Sequence, residues 1–264
     1  MKTLNWVSGG LVVTFAVVVG WSERRRALRP RVEPQLSHTS RNLAIAACGA
    51  LALQFAERPV VSRVAALVVR RRWGLLQRTR LPKWLEVGAA MLLMDYTLYV
   101  WHVLCHRTPL LWRAHAVHHI DRDLDASTAL RFHFAELTAS VPWRAGQVAL
   151  IGVSPAALSA WQTWLTLSIL FHHSNLALPV GVERAIGRFI VTPRMHGIHH
   201  SIEHEEVNAN WSSGLTVWDW LHGTLKLDVP QRSITVGVRS FEDPERVRLP
   251  EMLMLPFTAT PLPD

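Results

Sequence analysis

Residues 84–119 read WLEVGAAMLLMDYTLYVWHVLCHRTPLLWRAHAVHH. The first half, 84–101, is apolar and long enough for a membrane span. The second half is studded with histidine: His102 and His106, then His115, His118 and His119. On a helix, positions i, i+3 and i+4 share one face, so His-x3-His aims two imidazoles one way and His-x2-His-His aims three. A bilayer helix that runs directly into a histidine-bearing segment predicts a polar site just beyond the lipid. Pro109 is expected to turn the chain between the two motifs.

The same spacing returns downstream. His172 and His173 stand together, and RMHGIHH repeats the second motif as His196, His199 and His200. Thirteen of the fourteen histidines lie between His102 and His222, a density that a scatter of structural histidines does not produce. Converging neutral imidazoles would leave ring nitrogens with no donor unless cations fill the space. Imidazole suits zinc, copper, iron and nickel, and one ion takes about four to six ligands. Eight or nine histidines therefore suggest two ions, whose identity the imidazoles leave open.

His102-x3-His106, His115-x2-His118-His119 and His196-x2-His199-His200 resemble the three histidine boxes of the fatty acid hydroxylase / sterol desaturase superfamily of membrane di-iron enzymes. LLWRAHAVHH, STALRFHFAE, FHHSNLALP, TPRMHGIHHS and NANW…GLTVWDWLHGT also resemble segments of bacterial members, in the expected order, over about residues 88–260. The resemblance implies nine metal ligands: His102, His106, His115, His118, His119, His173, His196, His199 and His200. It implies two irons, with zinc possible in purified forms, and O2 as co-substrate for hydroxylating or desaturating a lipid. Around the ligands it places Asp95, His133, Glu136, His172, Asn175 and Asp219 as hydrogen-bonding support. Glu136 is expected to hold a ligand's free N–H, while His133 and Asn175 are expected to orient ligands. Asp95 reads equally as a link between helices, because charges within spans are functional candidates by default. His222 is expected to pack rather than to bind metal.

The implied fold is an all-α integral membrane helical bundle of about three to five spanning or re-entrant helices, with a cytosolic helical cap carrying the di-metal site. Composition agrees with a membrane protein holding a sizeable polar part: 49% hydrophobic, 18% charged, mean hydropathy +0.14. Residues 1–83 carry 15 Lys/Arg against 3 Asp/Glu, net +12, whereas residues 84–264 carry 13 against 17, net −4. The chain divides accordingly into N-terminal membrane helices with a basic interfacial segment (1–83) and a hydroxylase-like domain (84–264). A basic half beside apolar runs suggests anionic lipid headgroups. Nucleic acid is not expected as a partner, since no nucleic-acid motif appears.

Residues 4–21 read as a membrane helix anchored by Trp6 and Trp21, and as no signal peptide, because the basic SERRR cluster follows the run. Residues 23–41 read as a loop broken by Pro30 and Pro34. Residues 42–57 form a short apolar run, and 58–83 a basic loop or interfacial segment. By the positive-inside rule those arginines conflict with a cytosolic histidine site, which leaves a re-entrant or hairpin element over 42–69 or a basic segment lying in the interface. Residues 137–171 are expected to form a hairpin around Ser154-Pro155, with Arg144 snorkelling or paired inside it. MLMLPF (252–257) is expected to dip toward lipid.

Two cysteines, Cys48 and Cys105, exclude a disulfide framework and an iron–sulfur site. No convincing GxGxxG or other cofactor-binding motif appears, so electrons must come from an external ferredoxin- or cytochrome-like donor and its reductase. Two alternatives remain: a non-catalytic membrane metal-binding protein, disfavoured by histidines that follow the spans, and a zinc-dependent hydrolase, disfavoured by the lack of HExxH. The expected location is the inner or cell membrane, with the metal site on the cytosolic side, where reductant and metal are supplied.

Overall fold

The computed structural model describes residues 2–258, with side chains from residue 7 onward. Among the described residues the chain is all-helical, with no strand and three isolated bridges, Ala27–Leu176, Ile190–Leu215 and Ser201–Val236. The long helices are α1 (Lys2–Arg25), α2 (Gln35–Ala52), α3 (Arg58–Arg71), α4 (Lys83–Arg107), α5 (Pro109–His119), α6 (Phe134–Ile151) and α7 (Pro155–His173). Short helices follow: α8 (Val180–Ile186), α9 (Pro193–His199), α10 (His204–Val207), α11 (Val217–His222) and α12 (Leu249–Met254).

The N-terminal third departs from the expected loop and short span. Residues 35–41 are helical, because Pro34 sits immediately before the first turn, where a missing N–H costs nothing. Residues 42–71 form neither a hairpin nor a re-entrant element. α2 and α3 are one rod, joined through a π-helical segment at Leu53–Glu57. Pro59 lies in the first turn of α3 and has no N–H to give; the wider π turn just before it absorbs that loss without breaking the rod. Four arginines of the basic segment, Arg58, Arg63, Arg70 and Arg71, thus ride on a helix 37 residues long from Gln35 to Arg71.

Two stretches, Gln35–Arg78 and Lys83–Arg107, are long and apolar enough to cross a membrane by length and composition. α4 has 25 residues, about 37 Å at 1.5 Å per residue. α6 and α7 form the expected hairpin, closed at Gly152 and restarted by Ser154, which caps α7 ahead of Pro155. Outward-facing Val13, Val17, Leu43, Leu51, Leu92 and Leu150 are exposed, an apolar surface suited to lipid. Trp21 is exposed as expected of an anchor; the Trp6 side chain lies outside the described residues.

The helices run between two ends. At one, the α3–α4 turn crosses the α6–α7 turn: Leu75 N–H donates to Leu150 O at 2.9 Å, and Gln77 Nε2 to Gly152 O at 2.9 Å. Gly74 has φ +81°, and a Cβ there would sit 2.3 Å from Gly152 N. A core of Val61, Val68, Met94, Val148 and Trp161 fills this half and spans both sides of residue 83. Arg144 is buried in it, donating to Gln147 Oε1 at 3.0 Å with its guanidinium 4.5 Å over the Trp161 ring. At the other end lie the histidines, the short helices and a second core around Ile45, Trp112 and Val117. Met252 and Leu255 insert into that core, so the 252–257 segment does not face lipid as a whole; Met254 and Phe257 stay exposed.

Candidate metal centre

Each histidine-bearing helix has an explicit start. Pro109 opens α5 directly after α4 ends. Thr192 caps α9, accepting from Met195 N, with Pro193 in the first turn. α7 ends at His173. These ends meet, and His102, His106, His115, His118, His119, His172, His173, His196, His199 and His200 are all buried.

The rings form two groups. Ligand-capable atoms of His102, His106, His115 and His119 lie within 4.8 Å of one another, as do those of His118, His173, His196 and His200. His199 joins the first, its Nε2 3.1 Å from His102 Nε2. The groups adjoin where the His119 and His200 rings stack at 4.3 Å. All nine predicted ligands are thus brought together. A third set, Cys105, His115 and Glu136, overlaps the first group.

Tautomers decide whether cations fit. A carbonyl oxygen only accepts, so a ring nitrogen facing one carries the proton. His102 Nδ1 donates to Trp211 O at 2.7 Å, His199 Nδ1 to Ala209 O at 2.8 Å, and His173 Nδ1 to Ile169 O at 2.8 Å. The Nε2 atoms of His102 and His199 therefore face each other as lone pairs, and neither can donate. His173 Nε2 is likewise a lone pair, 3.0 Å from His118 Nε2 and 2.9 Å from His196 Nε2. His115 Nδ1 donates to Glu136 Oε1 at 3.0 Å, leaving its buried Nε2 without a partner. Both ring nitrogens of His106 and of His119 are buried without a hydrogen bond. Protonation is no remedy: burial, and after it the neighbouring rings, pushes His118, His119, His196 and His200 well below the usual imidazole range. Burial pushes His199 down to about 3, against the Ala209 carbonyl. Buried lone pairs converging on shared points form a donor set that fits metal cations.

The expected supporting residues divide. Glu136 holds His115, as anticipated. Asp219 acts at one remove: it accepts from Trp211 N at 2.9 Å and Ser212 N at 3.0 Å, fixing the loop whose Trp211 carbonyl holds His102. Asp95 touches no histidine. It accepts from Leu215 N at 2.9 Å and Trp218 Nε1 at 2.8 Å, tying α4 to α11 and the turn before it. His133 orients no ligand; it caps α6 by accepting from Ala135 N at 3.0 Å. Asn175 holds Arg29 rather than His173, accepting from Arg29 N and donating to Arg29 O, both at 2.9 Å. His172 lies behind the second group, 4.1 Å from the His196 ring and 4.5 Å from that of His173. His222 stacks on Tyr99 at 4.9 Å, away from the cluster.

Sequence reasoning missed the backbone carbonyls of Ile169, Ala209 and Trp211, which carry no side-chain signal. It also missed the role of Asp121, two residues past the second motif. Asp121 accepts from His38 at 2.8 Å, Asn42 at 3.1 Å and Thr128 at 2.8 Å, and pairs with Arg131 at 3.1 Å. Arg131 and His38 hold its carboxyl well below the usual carboxylate range despite burial. Arg131 also donates to Val117 O at 2.8 Å, which clamps the end of α5 to α2.

Residues 87–224 match the fatty acid hydroxylase family model, more than half of the 264-residue chain. Among curated proteins, the chain is 30% identical to ornithine lipid hydroxylase OlsE of Rhizobium tropici, over 60% of this chain and 46% of that protein. It is 27% identical to human alkylglycerol monooxygenase over 66% of this chain and 38% of that protein. It is 28% identical to mouse cholesterol 25-hydroxylase over 61% and 54% respectively. The chain thus spans about half the length, or less, of these relatives. No solved structure matches. The matched region contains every histidine of both groups together with Glu136 and Asp219, and the chain belongs to the fatty acid hydroxylase family.

Proposed function

We propose that this protein is a membrane-bound, O2-dependent lipid hydroxylase or desaturase with two iron ions. The observation that carries the reading is the pair of buried histidine groups in which His102, His115, His173 and His199 turn an Nε2 lone pair inward. His102, His106, His115, His119 and His199 would hold one ion; His118, His173, His196 and His200 would hold the other. When bound, the ions supply the activation of O2 that oxidises an unactivated C–H bond.

The chain's own residues do the rest. Glu136 and the carbonyls of Trp211, Ala209 and Ile169 keep the proton on Nδ1 of His115, His102, His199 and His173, so Nε2 of these four rings is presented inward. Burial of every ring excludes bulk water from the centre. The relatives are, by name, hydroxylases or monooxygenases of ornithine lipid, alkylglycerol and cholesterol. A lipid that reaches the centre from the bilayer is the matching substrate class here. A ferredoxin- or cytochrome-like partner with its reductase delivers electrons. Residues 84–264 form the catalytic unit, and residues 1–83 add helices that brace it through Asp121 and Arg131.

The location is the inner or cell membrane, with the histidine end cytosolic. Arginines mark both ends of the bundle, Arg24–Arg26 near the histidines and Arg70–Arg72, Arg78 and Arg80 opposite, so the K/R bias alone does not set the orientation.

Metal analysis of the purified chain tests the reading: two irons per chain are expected, whereas one zinc would favour a hydrolase. Iron-loaded protein with O2, a ferredoxin and its reductase should oxidise membrane lipid extracts. Protein that keeps two irons yet oxidises none of them would overturn the oxygenase assignment.

A further inference from the structure

Asp95 is a carboxylate inside a membrane span that touches no histidine, and charges so placed mark function by default. Its partners are the Leu215 N–H at 2.9 Å and the Trp218 indole N–H at 2.8 Å. Both belong to chain that comes back down from the histidine end. We propose that residues 187–191 and 213–223 form one re-entrant element, which dips into the leaflet on the histidine side and lays Phe189, Trp220 and Leu221 against lipid. The proposal rests on the membrane part of the reading above and on none of its metal chemistry.

Two helices agree on the depth. Asp95 lies seven residues before His102 on α4, about 10 Å along the axis. On α7 the Trp164 indole meets the same turn: a Cβ at Gly214 would be 2.1 Å from Asp95 Oδ1 and 2.9 Å from Trp164 Nε1. Trp164 lies nine residues before His173, about 13 Å along the axis. From that turn α11 follows α4 back toward the histidines. Trp218 packs on Tyr96 at 4.9 Å, then His222 on Tyr99 at 4.9 Å. Phe189 is carried to the same level, because Val191 N–H donates to Gly214 O at 3.0 Å and Thr216 N–H to Phe189 O at 3.1 Å. A span of about 20 residues counted from Trp84 runs past His102, so Asp95, Tyr96 and Tyr99 all lie within it.

At membrane depth an irregular backbone is tolerated only where protein satisfies it. Asp95 does this for Leu215, and the pairing with 189–191 does it for Gly214 and Thr216. What faces outward is apolar: Phe189 and Trp220 are each 71% exposed and Leu221 is 61% exposed. Large apolar side chains left bare on the flank of a span are matched by acyl chains, and interfacial elements sit roughly 5–10 Å into the headgroup–acyl boundary. Arg188, exposed next to Phe189 in the chain, can snorkel to the phosphates.

Nitroxide labelling tests this on the full chain reconstituted in vesicles of phosphatidylcholine and phosphatidylglycerol. Phe189→Cys, Trp220→Cys and Leu221→Cys are labelled one at a time on a Cys48→Ser background, Cys105 being buried. Relaxation of the label by O2, which concentrates in lipid, is compared with relaxation by a water-soluble nickel chelate. Leu92→Cys marks the flank of the span, and Glu205→Cys the aqueous side. The three labels should show an O2-to-nickel ratio close to that at Leu92 and well above that at Glu205. A ratio like that at Glu205 would put them in water. Shielding from both reagents would put them against protein, such as a second copy. Either result overturns the proposal and leaves the membrane reading intact. An aqueous ratio at Leu92 as well would overturn both. Metal content and melting temperature verify that each variant is folded. Trp220→Phe supplies a label-free check: the fluorescence it removes should be quenched in vesicles whose acyl chains carry bromine, and unquenched fluorescence would also overturn the proposal.

Discussion

The two ends of this helical bundle are closed in opposite ways. Opposite the histidines, glycine lets backbone pack on backbone, and apolar side chains fill the space beneath. At the histidine end the contacts are buried charges and imidazoles: Asp121 with Arg131 and His38, Glu136 with His115, and two groups of histidine rings. An apolar closure tolerates small shifts, because dispersion and burial are non-directional. A buried polar closure is all or none, since each group left unpaired carries its full desolvation penalty. Function sits at the unforgiving end, and variants should separate accordingly.

The largest effect is expected where a lone pair is removed. His196→Ala deletes a ring that contacts His173 and His200. Oxidation of lipid should fall to background and one equivalent of metal should be lost, as read by metal analysis. A fully active His196→Ala would break the contrast between the ends.

Acid should open the same end. Folded His199 holds its proton only near pH 3, against about 6.5 for a free imidazole. Between those values the unfolded chain takes up protons that the folded chain refuses, so stability present above about pH 6.5 is lost as pH falls. With His118, His119, His196 and His200 shifted in the same direction, the loss should involve more than one proton per chain. Metal-free protein melted across this pH range checks the slope, and a flat profile would contradict the buried neutral cluster.

Next in size is the clamp behind the second motif. Asp121→Asn leaves Arg131 buried without its counter-charge, and breaking a buried pair this way costs roughly 3–5 kcal/mol. Chemical denaturation should show the loss. Glu136→Gln is milder: His115 keeps a hydrogen-bond acceptor but loses the carboxylate. Changes at such partners cost about 10–100-fold in metal affinity, measurable by competition with a chelator, with the fold retained.

These residues also show what a reader of the sequence can and cannot see. His-x3-His and His-x2-His-His are local spacings, so a histidine-rich metal site was legible in the sequence, and the family resemblance completed its ligand set with His173. Glu136 was legible only through the family resemblance, with the added argument that a metal-bound imidazole's free N–H needs an acceptor. His133 and Asn175 were misread, since a polar residue near a site can equally cap a helix or hold a distant loop, and only the tertiary path of the chain decides. The α2–α3 rod was hidden by Pro59 and by arginines that lower the apparent hydrophobicity, although a π turn accommodates the proline. Asp121 was passed over because its partners, His38, Asn42 and Arg131, are separated from it in sequence and meet it only through packing.

The smallest effect on the metal centre should come from the opposite end, whatever its cost to the fold. Gly74 has φ +81°, in the left-handed region, where a residue with a Cβ pays about 1–2 kcal/mol. Gly74→Ala places a methyl group 2.3 Å from Gly152 N and 2.5 Å from Ala149 O, backbone atoms that cannot swing aside, so the two turns must move apart. That movement strains the Leu75–Leu150 and Gln77–Gly152 hydrogen bonds, but the apolar, non-directional core below should keep the damage at this end. The expected outcome is a lowered melting temperature with metal content unchanged, and with lipid oxidation per folded molecule also unchanged. Loss of metal in folded Gly74→Ala would mean that strain travels the length of the helices, and the two ends would then have to be treated as one coupled unit.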